Sequence, residues 1–287
     1  MRAALITLFF LIIQPVCAQN WSVGLLGGIT HYQGDLVAGP YVGRFMRPAV
    51  GLTVGRNFSS RLSARFGLTF TSVEGDDRYN EKEYLRVRNL RFASPITEAS
   101  LLAQFHAFDL ETVRWTPYVF GGVAVYRFNP YTQDVIGNRV NLQPLGTEGQ
   151  GLPGYATRLY NRNQLALPFG GGLKYALTAQ IHLGLEVGIR KLFTDYLDDV
   201  STNYPDATDL LNGRGPLAVS VAYRGDEVPG GDLTFPTKGA QRGGATQDDW
   251  YYITALHLNI LLHSSGAERS RRNTGRLRNV YDCPTVF

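Results

Sequence analysis

Between Arg61 and Phe70 the chain reads RLSARFGLTF, and every second residue from Leu62 onward is apolar: Leu62, Ala64, Phe66, Leu68 and Phe70. The residues between them, Ser63, Arg65, Gly67 and Thr69, are small, polar or charged. Successive side chains of a strand point to opposite faces, so this is a strand with one greasy and one wet face. The stretch alone leaves open which face is buried. In a soluble sheet the apolar face turns to a core, whereas in a membrane barrel it turns to lipid and the polar face lines the lumen.

The pattern recurs. TEASLLAQFHA at 97–107 sets Ala99, Leu101, Ala103, Phe105 and Ala107 against Glu98, Ser100, Gln104 and His106. AQIHLGLEVGIR at 179–190 sets Ile181, Leu183, Leu185, Val187 and Ile189 against Gln180, His182, Gly184, Glu186, Gly188 and Arg190. Fainter strand patterns lie at 21–34, 49–58, 118–128, 164–175 and 251–263. Each of the eight segments reaches the roughly 9 to 11 residues a tilted strand needs to cross a bilayer.

The connections decide between the two readings. Those after the second, fourth and sixth strands are short: Ser59-Ser60, DLETVRWTP from Asp109, and Leu177-Thr178. Those after the first, third, fifth and seventh are long and rich in Gly, Asn, Asp and Pro. A soluble sandwich has no reason to gather its long connections at one end, but a transmembrane barrel carries short periplasmic turns and long outer loops. The fold expected is therefore all-β: an eight-stranded antiparallel transmembrane β-barrel at 19–263 with long extracellular loops. Both termini then return to the periplasm.

The first twenty residues agree with that compartment. Arg2 precedes an apolar run from Ala3 to Ile13, and Val16-Cys17-Ala18 offers a cut before Gln19, so 1–18 reads as a secretory signal peptide. Val16 is too large to precede a lipoprotein cysteine, so Cys17 is expected to leave with the signal. No later stretch approaches the run of about 20 apolar residues a membrane helix requires. A hydrophobic content of 44% over 287 residues excludes wholesale disorder. The net charge of +4 is spread along the chain and belongs to no nucleic-acid module.

Eight strands enclose a space that side chains can fill. Arg65, Glu98, His106, Lys174, His182, Glu186 and Arg190 fall on the expected interior face, where charges persist when paired or solvated. A lumenal salt-bridge network is the reading adopted, with a proton or ion path as the alternative. Tyr118, Phe120, Tyr126 and Phe128, with Tyr251-Tyr252, fit aromatic girdles at the membrane interfaces.

The loops carry a family resemblance. LQPLGTEGQGL at 142–152, LPFGGGLKY at 167–175, RKLFTDYLDDVSTNY at 190–204, TPYVFGGVAVYRFNP at 116–130 and GDL at 34–36 resemble the PorG family of Bacteroidota, outer-membrane barrels of the type IX protein secretion system. The signature residues are Thr147, Glu148, Gly149, Gln150 and Gly151 in one loop and Thr194, Asp195, Tyr196, Asp198 and Asp199 in another. The resemblance implies a non-enzymatic component of the secretion machinery that anchors or positions a periplasmic ring built by a PorK-type lipoprotein and a PorN-type ring protein. No cofactor is expected.

The residues also bear on other functional classes. A barrel enzyme acting on lipid A would need a nucleophile, base and acid near the outer rim; His182 and Glu186 project into the lumen, out of a lipid's reach. Eight strands are too few for a diffusion pore, and an adhesin-like surface barrel stays open. Asp195, Asp198 and Asp199 could gather a calcium ion, but their spacing is not that of the helix-loop-helix motif and Asp often caps turns. The RGD at 224–226 reads as a chance tripeptide. The tail at 264–287 carries Arg269, Arg271, Arg272, Arg276 and Arg278 against Glu268 and Asp282 and reads as a periplasmic basic docking segment, with a solvated tail as its alternative. Cys283 is the single cysteine left after signal removal, an odd thiol in an oxidising compartment. With the ring lipoprotein that the resemblance supplies as neighbour, Cys283 is expected to form an intermolecular disulfide to it.

Overall fold

The computed structural model describes residues 20–262 apart from 38, 40, 41, 157, 158, 246 and 247. The segment read as a signal peptide, the basic tail with its five arginines, and Cys283 lie outside the described residues. Eight long strands build one sheet: β1 (Asn20–Gln33), β2 (Arg47–Asn57), β3 (Leu62–Asp76), β4 (Arg91–His106), β5 (Trp115–Phe128), β8 (Asn163–Ala176), β9 (Ile181–Leu192) and β10 (Trp250–Leu262). A small hairpin of β6 (Tyr131–Gln133) and β7 (Arg139–Asn141) sits in the connection between β5 and β8. Each long strand pairs antiparallel with its chain neighbours, and β10 pairs with β1 from Trp21 opposite Leu262 to Gln33 opposite Trp250. The sheet therefore closes into an eight-stranded antiparallel barrel. No helix among the described residues is long and apolar enough to cross a membrane.

Burial answers the question posed at Leu62. Leu62, Phe66 and Phe70 lie on the outside, Phe66 half exposed at 50%, while Ser63, Arg65 and Thr69 are buried. In β4 Leu101 and Phe105 are outside and Glu98, Ser100, Gln104 and His106 inside; in β9 Leu183, Leu185 and Val187 are outside and His182, Glu186 and Arg190 inside. An apolar belt around a polar lumen inverts the arrangement of a soluble protein and defines a membrane-spanning barrel.

The four long connections, 34–46, 77–90, 129–162 and 193–249, all leave one end of the barrel, and the three short turns leave the other. These ends are called the loop end and the turn end below. β3 and β4 pair well past the belt, out to Asp76 opposite Arg91, and Ala93 of β4 hands on to Tyr131 of β6. That extension and the β6–β7 hairpin escape the sequence pattern because the alternation breaks there, at Ser72, Val73 and Glu74.

The aromatic residues require a correction. Tyr118, Phe120, Tyr126, Phe128 and Tyr251 do not form interface girdles: all five are buried in the lumen. The register explains this. Directly opposed residues of an antiparallel pair share a face, and β4 sets His106 opposite Tyr118, Gln104 opposite Phe120 and Glu98 opposite Tyr126. Once the polar residues of β4 point inward, the rings of β5 must follow. The outward aromatics at the turn end include Trp21, Phe58, Phe105, Phe108, Trp115 and Tyr175, with Phe108 and Trp115 edge to face at 5.5 Å; Tyr252 alone of the residues named for a girdle lies on the outward side of its strand.

The apolar core fills the loop-end half of the lumen, where Tyr32, Phe92, Ile96, Tyr126, Phe128, Leu192, Tyr251 and Ile253 pack together and continue into the loops through Leu197 and Val200. A second cluster of Leu102, Tyr118 and Phe120 lies deeper. Its rings need a wall without side chains, which the glycines of β8 and β9 supply. A Cβ on Gly170 would lie 2.2 Å from the carbonyl oxygen of Val187 and 2.8 Å from Phe120 Cζ.

This close approach yields a paired expectation. Gly170→Val forces ring and backbone apart and should abolish most of the folded, heat-modifiable band on a gel, since overpacking costs roughly 1–3 kcal/mol or more. Gly27→Val adds a side chain on the outer face of β1, with nothing within 4 Å, and should fold normally.

Candidate functional site

Two polar constellations stand out, one in the lumen and one above it. In the lumen the sequence-derived charges meet across the barrel. Arg65 of β3 donates to Glu186 of β9, with the shortest approach 2.7 Å, and Tyr118 Oη donates to Glu186 Oε2 at 2.8 Å. Arg190 of β9 donates through Nε to Glu98 Oε2 of β4 at 3.2 Å, and Tyr251 also donates to Glu98. His257, which the sequence pattern did not single out, lies 3.6 Å from Glu186. It was hidden because its neighbours on the inward face of β10, Tyr251, Ile253 and Ala255, are not charged. Lys174 Nζ contacts His106 Nε2 at 3.0 Å, and His182 sits near the turn end rather than at mid-lumen.

The second constellation is a cap in which all four long loops interlock. It holds three short helices, α1 (Glu83–Arg88), α2 (Ala207–Arg214) and α3 (Pro216–Ala222). The two signature loops meet at its centre. Glu148, 5% exposed, accepts from the backbone N–H of Ser201 at 2.9 Å, from Thr202 Oγ1 at 2.6 Å, from Tyr196 Oη at 3.2 Å and from Arg242 Nη1 at 3.0 Å. Thr147 Oγ1 and Tyr160 Oη each donate to Asp199 at 2.6 Å. Asp199 is held at φ 69°, a left-handed conformation that Asp tolerates better than most residues. Gly149, at φ 82°, has the Tyr155 ring where a Cβ would stand. Gln150 lies buried beside Glu148 and its Oε1 accepts from the Glu148 N–H at 3.1 Å, while Gly151 takes φ 81° against Arg214.

Two buried arginines tie the loops together. Arg88 of α1 donates to both oxygens of Asp77 at 2.7 and 2.8 Å, to the carbonyl of Asp35 in the first loop at 3.3 Å, and to the carbonyl of Arg242 in the fourth. Arg242 reaches Glu148 in the third loop and the carbonyl of Asp199 at 2.6 Å. Arg224 of the RGD tripeptide is also buried, donating to Thr132 Oγ1, the carbonyl of Gln133 and Glu227. Apart from the local pair of Arg224 with Glu227, the partners that tie the loops together are not legible in the sequence, because they lie up to 154 residues away.

Acids outnumber arginines here. Asp35, Asp195, Asp198 and Asp249 lie near one another beneath the signature loops, and Tyr32 at the top of β1 offers its hydroxyl to Asp198 Oδ2 at 2.6 Å and to Asp249 Oδ1 at 3.1 Å. One phenol carries one proton. Both carboxyls compete for that single proton. Burial, with Asp35 next to Asp198 and Asp198 next to Asp249, pushes both carboxyls well above the usual carboxylate range. Burial and the charges of Asp198 and Asp35 push Asp195 up to about 9, and burial raises Asp199 to about 6 against the pull of Arg242. Among the described residues no three His, Cys, Asp or Glu side chains are arranged to hold a metal ion. A cleft of about 810 Å³ opens beside this core, lined in part by Asp35, Lys82, Tyr84, Lys191, Tyr204 and Trp250.

Closure, eight strands, a lipid-facing belt and a polar filled lumen define a bacterial outer-membrane β-barrel. A family model described as "Domain of unknown function (DUF6089)" matches residues 2–144, just under half of the chain. No curated protein sequence matches. Among solved structures the chain is similar to Neisserial surface protein A, with 9% identity, a TM-score of 0.42, and 85% of this chain and 99% of that chain covered. It is also similar to Ail, the attachment invasion locus protein of Yersinia pestis, with 8% identity, a TM-score of 0.40 and 85% and 99% covered. A third similarity is to the outer membrane enzyme PagL, with 14% identity, a TM-score of 0.32 and 84% and 99% covered. At such scores none of them lends this chain an activity or a partner.

Both constellations lead to measurements. Glu186→Leu leaves Arg65 uncompensated in a low-dielectric lumen, which costs about 3–5 kcal/mol, so the heat-modifiable gel shift should move to lower temperature. An unchanged shift would mean that the lumen is solvated. In the cap, Asp195 has an ordinary value near 3.8 and a folded value near 9, so the fold favours its protonated form. The stability this confers is complete below about pH 4 and is lost as pH climbs to about 9. Thermal unfolding in detergent should fall between pH 5 and pH 9, and Asp195→Asn should flatten that decline, each 1 kcal/mol appearing as roughly 2–4 °C in a domain of this size.

Proposed function

We propose that this chain is a sealed, non-catalytic outer-membrane scaffold of the type IX protein secretion machinery, positioning a periplasmic ring of a PorK-type lipoprotein and a PorN-type protein. The observation that carries the scaffold part is the lumen: Arg65 with Glu186, Arg190 with Glu98, and the rings of Tyr118, Phe120, Tyr126 and Tyr251 fill it. A barrel packed in this way offers surfaces rather than a passage. The secretion-system part is supported by the resemblance of the loops, and its two signature segments are those that clasp each other through Glu148, Thr147 and Asp199.

The long loops face the exterior and both termini the periplasm, so the basic tail and Cys283 reach the ring. The link proposed is a disulfide from Cys283 to the lipoprotein, with Arg269, Arg271, Arg272, Arg276 and Arg278 guiding the encounter. The enzyme reading has less support, since Glu186 is committed to Arg65 and Tyr118 inside the lumen. The cleft beside the cap favours a surface-binding, adhesin-like barrel as the second reading.

The test has two arms. A tag inserted near Gly230 should be labelled on intact cells, and a tag at the carboxyl terminus should be labelled only after permeabilisation; the reverse pattern refutes the orientation. Affinity capture of the tagged protein from envelopes, run without reductant after thiols are blocked at lysis, should retain the ring proteins and show a heavier band that Cys283→Ser removes. Capture without ring proteins refutes the secretion role, and a monomer band with the ring proteins retained refutes the disulfide alone.

A further inference from the structure

The charges of the lumen do not balance. Arg65 is paired with Glu186 and Arg190 with Glu98, but Lys174 enters no ion pair among the described residues. Among the described residues its Nζ meets His106 Nε2 at 3.0 Å and the Tyr118 ring at 5.2 Å, and the Glu186 carboxylate that acts on it from further away is committed to Arg65. A cation left alone inside a membrane-spanning barrel is costly.

Next to it lies a cavity of about 30 Å³ near the turn end, lined by Arg65, Gln104, Lys174, His182, Asn57 and Asn259 among others. Its walls are mostly polar, and no carboxylate is among its lining residues. Gln104, 4% exposed, accepts at Oε1 from Ser63 Oγ at 3.3 Å, while its buried Nε2 has no acceptor among the described residues. An ammonium, a guanidinium and an orphaned amide N–H thus border one small void. Such a set of donors with excess positive charge suits an anion. The void is small but has room for more than one water, since about 10–15 Å³ of such space already holds one, so a spherical halide fits without displacing the wall.

We propose that this pocket binds one halide-sized anion, chloride, entering from the turn end and neutralising Lys174. A bound water would satisfy Gln104 Nε2 but leave the charge uncompensated, and this separates the two occupants.

The experiment uses the intact protein in detergent. Crystals grown in sodium bromide should show an anomalous peak within hydrogen-bonding reach of Lys174 Nζ, and unfolding temperature should rise with sodium chloride but not with sodium gluconate at equal ionic strength. Lys174→Met should erase both the peak and the chloride dependence. Gln104→Leu keeps the charge and removes the orphaned donor, and should weaken the apparent chloride affinity about tenfold. If Lys174→Met fails to fold, Gln104→Leu and the bromide map of the wild type still decide. No bromide peak, equal behaviour in chloride and gluconate, or a chloride response untouched by Gln104→Leu would overturn the proposal.

Discussion

Everything in this molecule follows from lipid occupying the place of a core. A period of two gives each strand one apolar and one polar face, and when the apolar face is turned outward the polar one is forced into a space only a few side chains wide. The carboxylates brought there must find their partners on other strands. Glu98 and Glu186 do so across the barrel, on Arg190 and Arg65, and the aromatic rings of β5 fill the volume those pairs leave. Without the ion pairs the lumen would hold isolated charges; without the glycines of β8 the rings would have no room.

The cap manages the same difficulty differently. Where the lumen sets its two glutamates against two arginines and is left with a surplus cation in Lys174, the cap buries more carboxyls than arginines and keeps some of them protonated. Arg88 and Arg242 each serve several acceptors from different loops, including backbone carbonyls, which is the use a planar, five-donor group permits. The loops are therefore not four independent appendages. Glu148 alone gathers two backbone amides, two hydroxyls and a guanidinium from the fourth loop.

What could be read from the residues followed from how sharply each strand alternates. β3, β4 and β9 carry charges on one face and aliphatic chains on the other, so closure, the outward turn of the apolar face and the inward residues Arg65, Glu98, Glu186 and Arg190 were all legible. β5 was not, because both of its faces are apolar: Val119, Val123 and Val125 look outward and Tyr118, Phe120, Tyr126 and Phe128 inward. Only pairing with β4 separates them, and pairing is a property of two strands. The cap was legible as motif but not as geometry. Glu148 and Asp199 stood out by their segments, yet Tyr32, Asp249, Arg88 and Arg242 came from distant stretches with no local signal.

The hydroxyl of Tyr32 has a consequence for the seam of the barrel. Tyr32 is the last residue but one of the first strand, Asp249 immediately precedes the last, and the two strands pair from Trp21 to Gln33. A barrel that releases molecules sideways into the bilayer must part its strands somewhere, and the junction of first and last is where the chain offers no covalent resistance. Here that junction is hydrogen-bonded from end to end and bolted at its top by a phenol held between two acids. Lateral gating at this seam would require breaking the ladder and unbolting the cap together, so the wall behaves as a continuous ring despite being made from an open chain.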